Sequence, residues 1–253
     1  MLEKAAHLEP QTVTEAELAA INKYALEPLE AEEVFTFKAV LCDTEVDRQH
    51  EHFTVKALQD MQKLFLGRTV IKDHTPTADN QVARIYHTEL VETGKKAKSG
   101  EPYAQLVAHC YMVRTASNAD LIAEIKGGIK KEGSVGFRPS SAICSICGTD
   151  NAKSYCRHWA GRSYEKEGGA QVCTFKLAGV SDCYEFSLVA VPAQRAAGTT
   201  KSYTGEAVSE QDMPEEVEAP VTEKAAGIDP DQLSLRLRMA KLMAYHNDIT
   251  DNE

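Results

Sequence analysis

Cys144-Ser-Ile-Cys147, eight further residues and Cys156-Arg-His158 place three thiols and an imidazole within fifteen residues. Thiolates two apart on a tight turn grip one Zn²⁺, and a second Cys/His pair completes a tetrahedron. Gly148, directly after the first pair, suits that turn. The Cys-x-His half is tighter than the usual finger spacing. A full four-ligand shell leaves no open position for catalysis, so the sequence predicts a structural zinc held by Cys144, Cys147, Cys156 and His158. It would staple a Cys-rich insert over 139–170 that has too few apolar residues to fold unaided. Seven cysteines is an odd number, and MLEKAAHLEPQ lacks the apolar core of an export signal, which favours reduced thiols and a metal over disulfides. The remaining four, Cys42, Cys110, Cys173 and Cys183, read as small apolar strand residues.

Around this insert the chain alternates strand and helix signals. Thr14 with Glu17 three residues on forms a capping box ahead of Leu18, Ile21 and Tyr24, so a helix is expected there. FTFKAVLC alternates Phe35, Phe37, Ala39 and Leu41 as a half-buried strand. Thr54 opens a second helix with Val55, Leu58, Met61 and Phe65 on one face and Gly67 past its end. RTVIKDH, QVARIYHTELVE and YAQLVAHCYMV are strand candidates, the last two separated by TGKKAKSG. A third helix is expected from about Ser117 to Lys131, with Leu121, Ile125 and Ile129 as its stripe and Gly133 as its stop. Strand-like chain resumes at QVCTFKLAGV and runs on through EFSLVAVPA.

The net charge of −10 is uneven: residues 201–253 hold five Lys/Arg and twelve Asp/Glu, so seven of those charges sit in the last fifth of the chain. The rest has no basic excess, which disfavours direct nucleic-acid binding. No apolar run approaches the roughly 20 residues of a membrane helix. Residues 201–228 are acidic and poor in aromatics, the texture of a linker. A terminal helix is expected from Asp229, with Leu235, Met239, Leu242 and Met243 as a docking strip. The predicted organisation is an N-terminal helical extension over 1–34, an α+β domain over 35–200, the acidic linker, and a helical tail over 229–253.

Ser134 lies between Gly133 and Gly136, where small neighbours let a substrate backbone approach and nearby N–H groups can hold an oxyanion. A nucleophilic serine requires a base and an orienting group. His7 and His246 fall in the extensions, and His158 belongs to the metal set. His50 and His52 sit in the polar stretch VDRQHEHFT and read as solvated, while His87 and His109 lie within strand patterns. His74, at a strand end before TPTADN, is best placed for an exposed site, although composition does not choose among them.

IKDHTPTADNQVARI, then IAEIKGGIKKEGSVGF, then YEFSLVAVPAQRAA, in that order over roughly residues 35–197, resemble the prohead maturation proteases of tailed phages. The matching features are a histidine after a hydrophobic strand, a serine in an S-x-G-F context, and an E-x-S-L-V-x-x-P-A strand. The resemblance implies a compact β-barrel-like sheet surrounded by helices, as in the herpesvirus assembly proteases, here with the zinc-knuckle insert. It implies Ser134 as nucleophile, His74 as general base and Glu185 as third member. Asp182 is a near alternative for that third place, and His109 a more distant one, since the herpesvirus relatives use a second histidine. Glu185 rests on the resemblance alone.

The activity so implied is serine endopeptidase cleavage of phage scaffold and major capsid proteins, and of the chain itself. It would occur in the host cytoplasm inside the assembling prohead, with no membrane or nucleic-acid partner and with homo-oligomerisation open. The rival reading is an inactive capsid-core or scaffold protein that binds partners through the zinc knuckle and terminal helix.

Overall fold

A computed structural model describes residues 13–200, all within the first of two units, Met1–Met213 and Pro214–Glu253. The expected acidic linker over 201–228 and the helix from Asp229 lie outside the described residues. The described chain is α+β. Its strands are β1 (Val34–Asp43), β2 (Glu51–Phe53), β3 (Thr69–Lys72), β4 (Ala83–Lys96), β5 (Pro102–Val113), β6 (Gly133–Cys144), β7 (Ser163–Lys166), β8 (Gly169–Val172), β9 (Phe175–Leu188) and β10 (Gly198–Thr199). Three α-helices accompany them: α1 (Glu15–Ile21), α2 (Val55–Leu64) and α3 (Ala119–Lys126).

Eight strands form one mixed sheet in the order β10-β1-β5-β4-β3-β9-β2, with β6 also on β9, while β7 and β8 make a separate hairpin. The long β9 organises one end of this sheet. One edge takes β6 antiparallel along almost its whole length, and the other takes β2 and β3 in parallel, one after the other. The expected barrel-like closure is therefore not found among the described residues. In the strand order β10 stands at one end and β2 and β6 at the other, and a single bridge, Glu132 with Gly198, joins β10 to the residue before β6 without a continuous ladder. Three short helices are also too few to surround it.

Helix α2 forms where its sequence predicts. The Thr54 hydroxyl accepts from the Ala57 N–H at 3.1 Å as an N-cap, and Ala57, Leu58 and Met61 are buried against the sheet. Burying each larger apolar side chain is worth about 1.5–3 kcal/mol. Helix α1 has the full Thr14/Glu17 capping box and closes a second cluster in which Ile21 meets Val34, Tyr86 and Tyr111. Strand β1 keeps the expected alternation from Phe35 to Ala39, with Thr36 and Lys38 only partly buried, and is buried throughout beyond it, where a bulge between Val40 and Cys42 turns both Leu41 and Cys42 into the main core.

Helix α3 stops at Lys126, short of the expected Lys131, because Gly127-Gly128 follow. Ile129, expected on its stripe, is left 72% exposed. Gly133 and Ser134 consequently belong to β6, not to a helix terminus. His52, expected to be solvated, is buried, and burial pushes its pKa below the ordinary histidine range. No described helix is long and apolar enough to cross a membrane.

Candidate functional site

Strands β6 and β9 bring two serines, a glutamate and a glycine onto one face. Directly opposed residues of an antiparallel pair point the same way, and neighbours along a strand alternate. Ser134 pairs with Ser187 and Gly136 with Glu185, while the intervening Val135 and Phe186 face the main core. Glycine at 136 leaves room for the carboxylate: a Cβ there would lie 2.4 Å from Glu185 Oε1 and would displace it. The carboxylate therefore lies over the backbone of the serine-bearing strand.

His74 reaches this face from the end of β3, which runs parallel to β9 with Lys72 beside Leu188. The chain then turns sharply, with Asp73 at φ 54° and His74 at φ 51°, a conformation that few non-glycine residues adopt. Local bonds hold the turn: Asp73 N–H donates to Leu188 O at 3.0 Å, and Asn80 Nδ2 donates to Lys72 O at 2.7 Å and Thr75 O at 2.8 Å. His74 Nδ1 lies 2.8 Å from Glu185 Oε1, the imidazole 43% exposed and the carboxylate side chain 10%. A carboxylate accepts and does not donate, so the proton belongs on His74 Nδ1 and Nε2 is left free as a base.

Of the three groups left open as partner to His74, Glu185 is the one in contact with it. Asp182 accepts from Arg68 Nη2 at 2.9 Å and from the Cys183 N–H at 2.8 Å. His109 Nε2 meets Glu89 Oε1 at 3.0 Å, and its ring packs edge-on against His87. Burial lowers the His109 pKa despite that carboxylate. Ser134 Oγ, half-buried, has no side-chain hydrogen bond among the described residues. It therefore shares the face without a hydrogen bond to the imidazole. Such bonds are commonly long before substrate binds. A groove of about 240 Å³ is lined by Phe35, Phe37, Lys38, Lys126 and Lys131. None of the residues of this face lines it.

The second constellation is the Cys/His set. The ligand atoms of Cys144, Cys147, Cys156 and His158 all lie within 4.8 Å of one another, a cluster that could hold a metal ion. Cys144 ends β6 and is buried. Gly148, at φ 74°, turns the chain back so that its N–H donates to Cys144 O at 2.9 Å. Hydrogen bonds with the Thr149 side chain and backbone draw the Cys147 thiol down to about 6, toward the thiolate that ligates cations. His158 Nδ1 is buried with no hydrogen-bond partner; unprotonated, it offers a lone pair that a bound cation would take up.

The insert also has a small apolar cluster of its own, Cys144, Cys173 and Phe175 with Ile146, Ala160 and Tyr164 packed against them. Cys173 was expected on a strand as an apolar filler. It lies instead between β8 and β9, fully buried, with its Sγ 3.8 Å from that of Cys144. Burial pushes its thiol up to about 12. Its separation from the motif by fifteen residues conceals this in the sequence.

No protein-family model, curated protein or solved structure matches the chain.

Proposed function

We propose that this chain is a serine endopeptidase of the phage prohead-maturation kind, with a fold akin to the herpesvirus assembly proteases. The observation that supports it most is the His74–Glu185 contact at 2.8 Å, set on the same sheet face as Ser134. Ser134 Oγ attacks the peptide carbonyl while His74 Nε2 takes its proton and returns it to the leaving amine. Glu185 keeps the Nδ1 proton in place and stabilises the imidazolium. Backbone N–H groups on the edge of β6 not paired to β9 would receive the oxyanion.

On this reading the substrates are scaffold and major capsid proteins and the chain's own ends, cleaved inside an assembling prohead. Three thiols and an imidazole suit Zn²⁺, held by Cys144, Cys147, Cys156 and His158. A four-ligand shell makes it a structural ion beside the protease face.

The test is intact mass over time for wild type beside Ser134→Ala, alone and with scaffold and capsid proteins. Truncation at discrete sites in wild type only is the expected result. Because Ser134 makes no hydrogen bond to His74 in this structure, an inactive capsid-core protein is the second reading. Both chains and their partners staying whole would favour it.

A further inference from the structure

Ser187 is fully buried in β9, and its hydroxyl serves the His74–Glu185 pair twice. It donates to Glu185 Oε2 at 2.8 Å and accepts from the backbone N–H of His74 at 3.0 Å. The other carboxylate oxygen, Oε1, meets His74 Nδ1 at 2.8 Å. The contacts close a ring from imidazole to carboxylate to hydroxyl and back to the backbone that carries the imidazole. A buried hydroxyl is costly unless bonded, and here both its donor and an acceptor site are used.

This placement answers a mechanical problem. His74 stands at φ 51° behind Asp73 at φ 54°, and residues in such conformations hold them only where their surroundings over-determine them. Its ring is 43% exposed, so packing alone does not hold its direction. The bonds of Asp73 and Asn80 secure the turn on either side of it. The Ser187 hydroxyl joins the His74 main chain to the carboxylate against which the ring rests.

We propose that Ser187 is the positioning residue of the His74–Glu185 pair. Its catalytic meaning rests on the peptidase reading, whereas its action on the imidazole does not. Without the hydroxyl, the His74 N–H loses its acceptor and Glu185 Oε2 its donor. Both ends of the His74–Glu185 contact then become free to move.

The experiment is proton and nitrogen-15 NMR of the imidazoles in the full chain, with the low-field Nδ1–H signal of His74 assigned by its loss in His74→Gln. Wild type and Ser134→Ala are expected to show it, Ser187→Ala to lose it, and Ser187→Thr to restore it. In peptide cleavage, Ser187→Ala is expected to lower kcat on the order of a hundredfold at unchanged KM, with recovery in Ser187→Thr. An unchanged signal in folded Ser187→Ala, or no such signal in wild type, overturns the proposal. If the alanine variant does not fold, Ser187→Cys, near in size and a weak donor, decides on the same signal. A signal that depends on Ser187 in a wild type that cleaves nothing supports the positioning role and sinks the peptidase reading instead.

Discussion

Glu185 occupies the space that a side chain at residue 136 would fill: a Cβ on Gly136 would come within 2.4 Å of Oε1, the oxygen that meets His74. The glycine is thus tied to the carboxylate's position and not to a turn, since its φ is not among the positive ones. Gly136→Ala should keep the fold, with a stability change within about 1 kcal/mol, yet displace the carboxylate from the imidazole. On the peptidase reading, cleavage should fall on the order of a hundredfold. Thermal unfolding beside a peptide-cleavage assay checks both halves, and full activity in the variant would contradict the steric account.

Metal removal should act on one region. The purified chain is expected to carry roughly one zinc ion, lost to a strong chelator and in Cys156→Ser and His158→Ala. Amide exchange should then quicken between residues 145 and 172, while β4 and β5, far along the sheet, stay protected. Metal analysis with site-resolved exchange reads this directly. Uniform loss of protection would mean that the ion supports the whole domain.

Cys173 distinguishes a neighbour from a ligand. Its sulfur lies 3.8 Å from Cys144 Sγ, but the mutually close set is Cys144, Cys147, Cys156 and His158. Cys173→Ser should therefore retain the ion, whereas Cys144→Ser should lose it. Loss of metal in Cys173→Ser would redraw the shell.

Asp43 carries a pH dependence of defined sign. Burial, opposed by bonds from the Glu45 N–H and Tyr103 hydroxyl, raises its pKa from 3.8 to about 6. Its protonated form is the one the folded state favours. That contribution is complete below the unfolded value and disappears as pH rises through about 6, amounting to about 2–3 kcal/mol. Asp43→Asn should therefore gain stability relative to wild type between pH 4 and pH 7. Paired urea titrations at several pH values measure the difference, and a constant gap would show that Asp43 titrates normally.

The elements with strong local signals were legible in the sequence. The Thr14/Glu17 box and the Thr54 cap specify where α1 and α2 begin, because a cap satisfies N–H groups within its own first turn. The Cys/His run was equally local: four donors within fifteen residues are brought together by one tight turn and a short loop. Where the reading missed, the deciding contact was distant. Helix α3 ended early because two glycines outweighed a hydrophobic period that continued to Ile129. His52 looked solvated among polar neighbours, yet β2 pairs with β9, more than a hundred residues away, and buries it.

For the candidate site, the sequence alone determined the chemical inventory: a serine among glycines, a histidine at a strand end, and a compact set of metal donors. Spacing along a chain conveys such information because turns and caps are short-range. Which carboxylate the histidine meets was decided only by tertiary structure. The parallel run of β3 beside β9 brings Lys72 level with Leu188, and the left-handed turn at Asp73 and His74 swings the imidazole onto Glu185. Asp182 was a comparable candidate in the sequence, but in the fold it is engaged by Arg68. Strand register, set by pairing between segments more than a hundred residues apart, determines which side chains share a face, and no local pattern encodes it.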